Sequence, residues 1–248
     1  MVRPDPDGPT SVVGGPYDVA VDPLARAADA LIQAGRRLGA RGLISAGEGN
    51  LSVRLDADRL LCSPTGLHKD ELTADDLVIV WLGHPDREAV SRSGHGPTSD
   101  LAIHLAVHAA RPDIGAVAHA HLPASMGLTL AGEVPDPSAL PETALLLPRL
   151  PYLALGVPGS EELAGRVAEA LSEPGEPPGP LASAVLLERH GAVAVGRDPA
   201  HAVDRLELVE VLCRTWRDAL LVRGALAATA IVAARSEPSA PDHRRRDA

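Results

Sequence analysis

The sequence has no phenylalanine, only two tyrosines and only two tryptophans. Its core must therefore be built from Ala, Val, Leu and Ile, and any chemistry that needs a tyrosine has just Tyr17 and Tyr152 to draw on. Cysteine is as scarce. Cys62 and Cys213 stand far apart in no pattern, which excludes a disulfide scaffold and makes a reducing cytoplasm the simplest setting. Lys69 is the only lysine. Positive charge is in deficit overall: 23 Lys and Arg against 33 Asp and Glu leave a net charge of −10. That excludes a general nucleic-acid binder, whose affinity comes from cations on phosphates. It leaves room for a small anionic substrate, because a pocket's local field can oppose the net charge. No apolar run reaches the roughly 18 residues of a membrane span, so no membrane partner is expected. The stretch from Met1 to Gly15 lacks the basic start and apolar centre of a secretory signal.

What is present is an ordinary globular chain of 248 residues, 45% hydrophobic and long enough to bury a core. Pro and Gly mark residues 1–20 as a flexible tail, residues 21–234 as one domain and residues 235–248 as a second tail. Apolar spacing predicts helices from Pro23 to Leu38, up to Ala110, from Pro123 to Leu130, from Ser160 to about Leu171 and from Pro199 to about Ala234. Strands are expected at Leu51–Leu55, Leu60–Cys62, Leu77–Trp81, Ile114–His121, Ala184–Leu187 and Ala192–Val195. Residues 83–97 read as a loop and 131–151 as irregular, with a short strand somewhere between Leu145 and Tyr152. Interleaved strands and helices indicate an α/β or α+β domain.

The sharpest motif is His119-Ala120-His121. Residues i and i+2 of a strand share a face, so two imidazoles stand side by side at a spacing that a divalent ion can bridge. Two surface histidines on an exposed strand give the same pattern. His190-Gly191 sits at a strand break, where a glycine permits a tight turn; it reads as a turn histidine or as a third ligand. Three histidines with an open fourth position would be a catalytic arrangement. Gly96-Pro97-Thr98-Ser99-Asp100 precedes a helix. Hydroxyls and free N–H groups at a helix start can cradle phosphate, or simply cap the helix. Asp100, His104 and His108 follow at i, i+4 and i+8 on one helix face, as a functional stripe or as a solvated one. For His108, exposure is the expectation. Gly47-Glu48-Gly49-Asn50 and Ser63-Pro64-Thr65-Gly66 add two glycine-bearing polar loops that can approach a ligand closely.

Taken in order, Gly49-Asn50-Leu51-Ser52-Val53-Arg54, Ser63-Pro64-Thr65-Gly66, Pro97-Thr98-Ser99-Asp100, Arg111-Pro112 leading to His119-Ala120-His121, and His190-Gly191 resemble the class II aldolase/adducin family. The likeness runs from about residue 22 to 225, and Pro158-Gly159-Ser160-Glu161-Glu162-Leu163 is similar to a helix start in family aldolases. The resemblance implies a three-layer α/β/α domain with a mostly antiparallel central sheet, assembled as a homotetramer with sites between subunits. It implies that His119, His121 and His190 hold Zn2+, or another divalent ion such as Mn2+ or Co2+. Asn50, Thr65, Gly66, Thr98 and Ser99 would bind a substrate phosphate, and Asp100 would move the proton. The implied activity is that of a lyase, an aldolase that cleaves or forms a C–C bond in a sugar phosphate through a metal-stabilised enediolate of dihydroxyacetone phosphate. A 4-epimerase or a metal-dependent decarboxylase on the same scaffold is the alternative. The retained histidines argue against a non-catalytic adducin-like module. The chain departs from the family aldolases in carrying Asp rather than Glu at position 100. It also has no tyrosine where those enzymes place their proton donor, and Glu142 is the nearest substitute in sequence. The aromatic-rich segment of the epimerase branch is missing after His190-Gly191.

Overall fold

Small side chains set the spacing of the layers. The structure, a computed structural model, describes residues 22–84, 87–175 and 179–236. Its middle layer is a seven-stranded sheet in the order β3-β2-β1-β4-β7-β6-β5. The strands are β1 (Asn50–Arg54), β2 (Arg59–Cys62), β3 (Val78–Trp81), β4 (Ala116–Ala120), β5 (Tyr152–Leu153), β6 (Ala184–Leu187) and β7 (Gly191–Gly196). Every pairing is antiparallel except that of β5 with β6, so the sheet is mostly antiparallel with one parallel edge. The helices are α1 (Pro23–Ala40), α2 (Leu101–Ala110), α3 (Pro123–Leu130), α4 (Pro141–Leu146), α5 (Glu161–Ser172) and α6 (Pro199–Ser236).

The alternation along β4 divides the layers. Ala116, Ala118 and Ala120 face a core shared with α1, α3 and α6, whereas Val117 turns to the opposite core with α2 and α5. Ala192 and Ala194 of β7 continue the small surface beneath Val203, Leu206 and Val209 of α6. At the start of α6 the backbones are so close that a Cβ on Gly196 would lie 2.5 Å from the Ala202 nitrogen. Close approach of chains thus replaces the volume that aromatic rings would fill. Local chemistry fixes the helix starts. Asp22 accepts a bond from Leu24 N with Pro23 in the first turn, and Ser160 accepts one from Leu163 N with Glu161 and Glu162 behind it.

Two expectations need correction. The strand sought between Leu145 and Tyr152 is only Tyr152–Leu153, and the stretch before it contains α4. Pro141 in the first turn with Glu142 beside it favours a helix there. The last helix extends to Ser236, so positions 235 and 236 of the expected C-terminal tail are helical. The remainder of that tail, and the expected N-terminal tail 1–20, lie outside the described residues. Among the described residues no helix is long and apolar enough to cross a membrane.

Ala118 is fully buried beneath the layer containing α6. Replacing it with leucine should overpack that layer and cost about 1–3 kcal/mol, read as a lowered thermal unfolding midpoint.

Candidate metal centre and anion cavity

The histidines meet because two strand ends meet. His119 is the penultimate residue of β4 and His121 follows its last residue. The β4–β7 register pairs His119 with Val193 and Ala120 with Ala192, which brings the turn before β7, and His190 in it, alongside β4. Gly191 makes this approach feasible. Its φ is +104°, and a Cβ there would lie 2.1 Å from the Ala120 carbonyl oxygen. The ring centroids stand 5.0, 4.9 and 4.8 Å apart, and one ligand nitrogen from each ring lies within 4.8 Å of the others.

The donor chemistry fits a divalent cation. His119 Nδ1–H donates to the Ala192 carbonyl at 3.0 Å, which fixes the tautomer and leaves the Nε2 lone pair aimed into the triad. That nitrogen is buried and has no hydrogen-bond partner, an arrangement that costs free energy unless an electrophile meets it. His121 Nδ1 lies 3.4 Å from Glu48 Oε1, which sets a carboxylate beside the second ring. Burial, reinforced by the neighbouring His190 and His121, pushes His119 down to about 3. Burial also lowers His190, with His121 adding to the effect. Both rings are therefore held neutral, the form that binds metal.

A cavity of about 560 Å3 opens beside the triad. Asn50, Thr65, Gly66, Thr98, Ser99 and Asp100 all lie on its wall, with His121 and His190 at the same opening. Backbone bonds stitch the loops together. Thr65 N donates to Gly96 O at 3.2 Å and Thr98 N donates to Ser63 O at 3.2 Å. Two residues without an expected role share the wall, Lys69 and Glu48. Lys69 is buried, and its ammonium donates to the carbonyls of Gly47 at 2.8 Å and Leu67 at 2.6 Å, tying two of the loops to one another. Burial lowers its pKa. Its being the only lysine, three residues after Gly66, was the available signal in the sequence.

Asp100 starts α2, yet its side chain makes no capping bond. It accepts instead from Asn50 Nδ2 at 2.9 Å and stands 4.0 Å from His119 Nε2. The β1–β4 register, which pairs Asn50 with His119, places this contact. Glu142 is exposed on α4 and does not line the cavity. Tyr152 is on the edge strand β5, also away from the cavity wall, and Tyr17 lies outside the described residues. The expected exposure of His108 is wrong: it is 1% exposed. It sits under β1 because Ser52 and Arg54, alternate residues on that strand, supply polar partners for it.

His104 and His108 give the fold an acid-sensitive point. Burial depresses them to about 4 and about 3, and His104 and Arg54 further lower His108. In the unfolded chain both take up protons near 6.5. The stability they contribute is complete above that pH and is lost as pH falls from 6.5 towards 4 and 3. The urea midpoint of metal-free protein should therefore fall between pH 7 and pH 5, before carboxylate protonation contributes fully, with His119 and His190 adding to the fall once no metal holds them; an unchanged midpoint would contradict the neutral burial of these rings.

The sequence profile of the Class II Aldolase and Adducin N-terminal domain matches residues 29–217. The chain is 34% identical to a methylthioribulose-1-phosphate dehydratase of Acidiphilium cryptum over 210 residues, covering 82% of this chain and 94% of the relative. It is 30% identical to a 3-oxo-tetronate 4-phosphate decarboxylase of Haemophilus influenzae over 73% of this chain and 81% of the relative. The crystal structure of L-fuculose-1-phosphate aldolase from Thermus thermophilus superposes with a TM-score of 0.67 at 31% identity, covering 81% of this chain and 98% of that one. With the profile spanning most of the chain and the fold shared, the chain belongs to the class II aldolase and adducin family, an enzyme family whose named relatives here are lyases on sugar phosphates.

Proposed function

We propose that this chain is a divalent-metal-dependent lyase that dehydrates a ketose 1-phosphate. The observation that carries the reading is the juxtaposition, at one cavity, of His121 and His190 of the histidine triad, Asp100 and the polar loops around Thr65 and Thr98, with His119 buried behind them. Zn2+, or Mn2+ or Co2+, held by His119, His121 and His190 would supply Lewis acidity to the substrate's carbonyl and hydroxyl oxygens. Asn50, Thr65, Gly66, Thr98 and Ser99 bind the phosphate. Their hydroxyls, amide and backbone N–H groups, with the start of α2 behind them, favour an anion despite the net negative charge. Asp100 takes the proton from the carbon next to the carbonyl. Elimination of water then requires an acid at the departing hydroxyl, and we assign that role to Glu48, which lines the cavity beside His121.

Two points favour dehydration over the aldol cleavage expected from the sequence. The similarity to methylthioribulose-1-phosphate dehydratase covers most of both chains, and among the described residues no tyrosine lines the cavity to take the hydroxyl proton of a departing aldehyde, or to return it in the bond-forming direction. Aldol cleavage of the same class of substrate is the second reading, supported by the likeness to the Thermus aldolase. We also propose a homotetramer. The exposed Val211, Leu221, Val222 and Leu226 along α6 suit a face covered by further copies, and light scattering of the purified protein checks it.

Metal-loaded protein incubated with 5-methylthioribulose 1-phosphate should release water and a diketone, seen by mass spectrometry. Dihydroxyacetone phosphate released from fuculose 1-phosphate would favour the aldolase reading instead, and turnover of neither would overturn both. Metal analysis should find one ion per chain, lost in His190→Ala. Asp100→Asn should fold and retain that ion while kcat falls at least roughly a hundredfold, the low end for general acid–base catalysis.

A further inference from the structure

Behind Asp100 and Asn50 lies a line of polar side chains, from half-buried Arg54 through His108 and Ser52 to His104, that the proposed reaction does not use. Arg54 Nη2 stands 3.2 Å from His108 Nδ1, and His108 Nε2 stands 3.0 Å from Ser52 Oγ. Ser52 Oγ is 2.7 Å from His104 Nδ1, and His104 Nε2 is 2.6 Å from Asn50 Oδ1. Asn50 Nδ2 then reaches Asp100 Oδ2 at 2.9 Å. Ser52 and His104 are fully buried, and Asn50 is 3% exposed.

We propose that Arg54, His108, Ser52 and His104 form a one-way hydrogen-bond chain that positions the Asn50 amide, and through it Asp100. The direction follows from the two ends. A guanidinium can only donate, so His108 Nδ1 must be the bare nitrogen and its proton is on Nε2. His108 Nε2–H donates to Ser52 Oγ. The one hydroxyl proton of Ser52 is then directed to His104 Nδ1, which puts the His104 proton on Nε2, donating to Asn50 Oδ1. The amide is left with its NH2 towards Asp100. From the other end, a carboxylate can only accept, so Asp100 demands the NH2 of Asn50 and hence the Nε2–H of His104. Both ends assign the same proton to every link. Burial keeps both rings neutral, which the scheme requires.

The consequence lies at the cavity wall. With Oδ1 engaged by His104, Asn50 turns its second amide N–H rather than a carbonyl oxygen towards the cavity it lines, as an anionic ligand needs. A flipped amide would set an oxygen against the Asp100 carboxylate. No proton travels the line, because an amide does not relay one readily; these are positioning residues. The inference rests on the reading of Asp100 as the proton-transfer group.

Histidine-selective 15N labelling of the full chain, loaded with zinc, tests it by long-range 1H–15N correlation. His104 and His108 should both appear as the Nε2–H tautomer. A protonated Nδ1 or a tautomer mixture at His104 overturns the chain, and this measurement needs neither a variant nor a substrate. In Ser52→Ala the His104 ring should become a tautomer mixture, with kcat lowered roughly 10–100-fold, the usual cost of losing an outer-sphere partner, KM for the phosphorylated substrate raised because the Asn50 amide is no longer held, and zinc content unchanged. A mixed tautomer with wild-type kcat would overturn the positioning role. If Ser52→Ala does not fold, the wild-type spectrum decides. A protein with both Nε2–H tautomers that turns over no sugar phosphate would overturn the proposed lyase and leave the chain standing.

Discussion

The site is organised around one unpaired nitrogen. His119 Nε2 is buried on the central strand of the sheet with no protein partner, while the opposite nitrogen of the ring is committed to the Ala192 carbonyl. In a core this is a costly arrangement. The surroundings are consistent with a cation being its intended partner. His121 and His190 bring their nitrogens within ligand spacing, and Asp100 adds a carboxylate at 4.0 Å. The ring sits on a strand held by hydrogen bonds to β1 and β7 on either side, so its position is set by the sheet rather than by a loop.

That placement explains which parts of the site could be read from the chain. His119 and His121 follow from strand periodicity, and the polar loops from their glycines and hydroxyls. The convergence of His190 does not. It depends on the register of β7 against β4, a contact between segments far apart in the chain, and on a turn that only Gly191 permits. The resemblance to a family supplied what spacing could not. The mostly antiparallel sheet was legible in the same indirect way, whereas α4 went unread because its one clear signal, Pro141 followed by Glu142, lies within an otherwise irregular stretch.

His108 shows why exposure is hard to infer for a polar residue on a helix. Its spacing from Asp100 and His104 was plain, but a solvated stripe and a buried one have the same period. The deciding residues were on another element. Asn50, Ser52 and Arg54 alternate along β1 and so share a face, and that face looks onto α2. A strand reading Asn-x-Ser-x-Arg against a helix reading Asp-x-x-x-His-x-x-x-His matches a two-residue period to a four-residue one, at about 6.8 Å and 6 Å of rise respectively. The near-equality of those rises lets the polar positions meet in pairs, and a polar strand face can then be buried without leaving a donor or acceptor unmet.

The same geometry bears on how one scaffold hosts dehydratases, decarboxylases and aldolases among its relatives. In each reaction, electrons of a bond to carbon are delocalised onto an oxygen, and a fixed cation site with a neighbouring carboxylate serves that step regardless of what departs. What distinguishes the reactions is the group that meets the departing fragment. Water leaving needs an acid at a hydroxyl, an aldehyde leaving needs a base at the hydroxyl that becomes its carbonyl, and carbon dioxide leaving needs neither. In the proposed reading, therefore, Asp100 and its supporting residues carry the chemistry common to the family. Glu48, on a loop tied down by Lys69, is where this chain's specificity would be decided. A loop residue can be exchanged without moving the strands that carry the histidines.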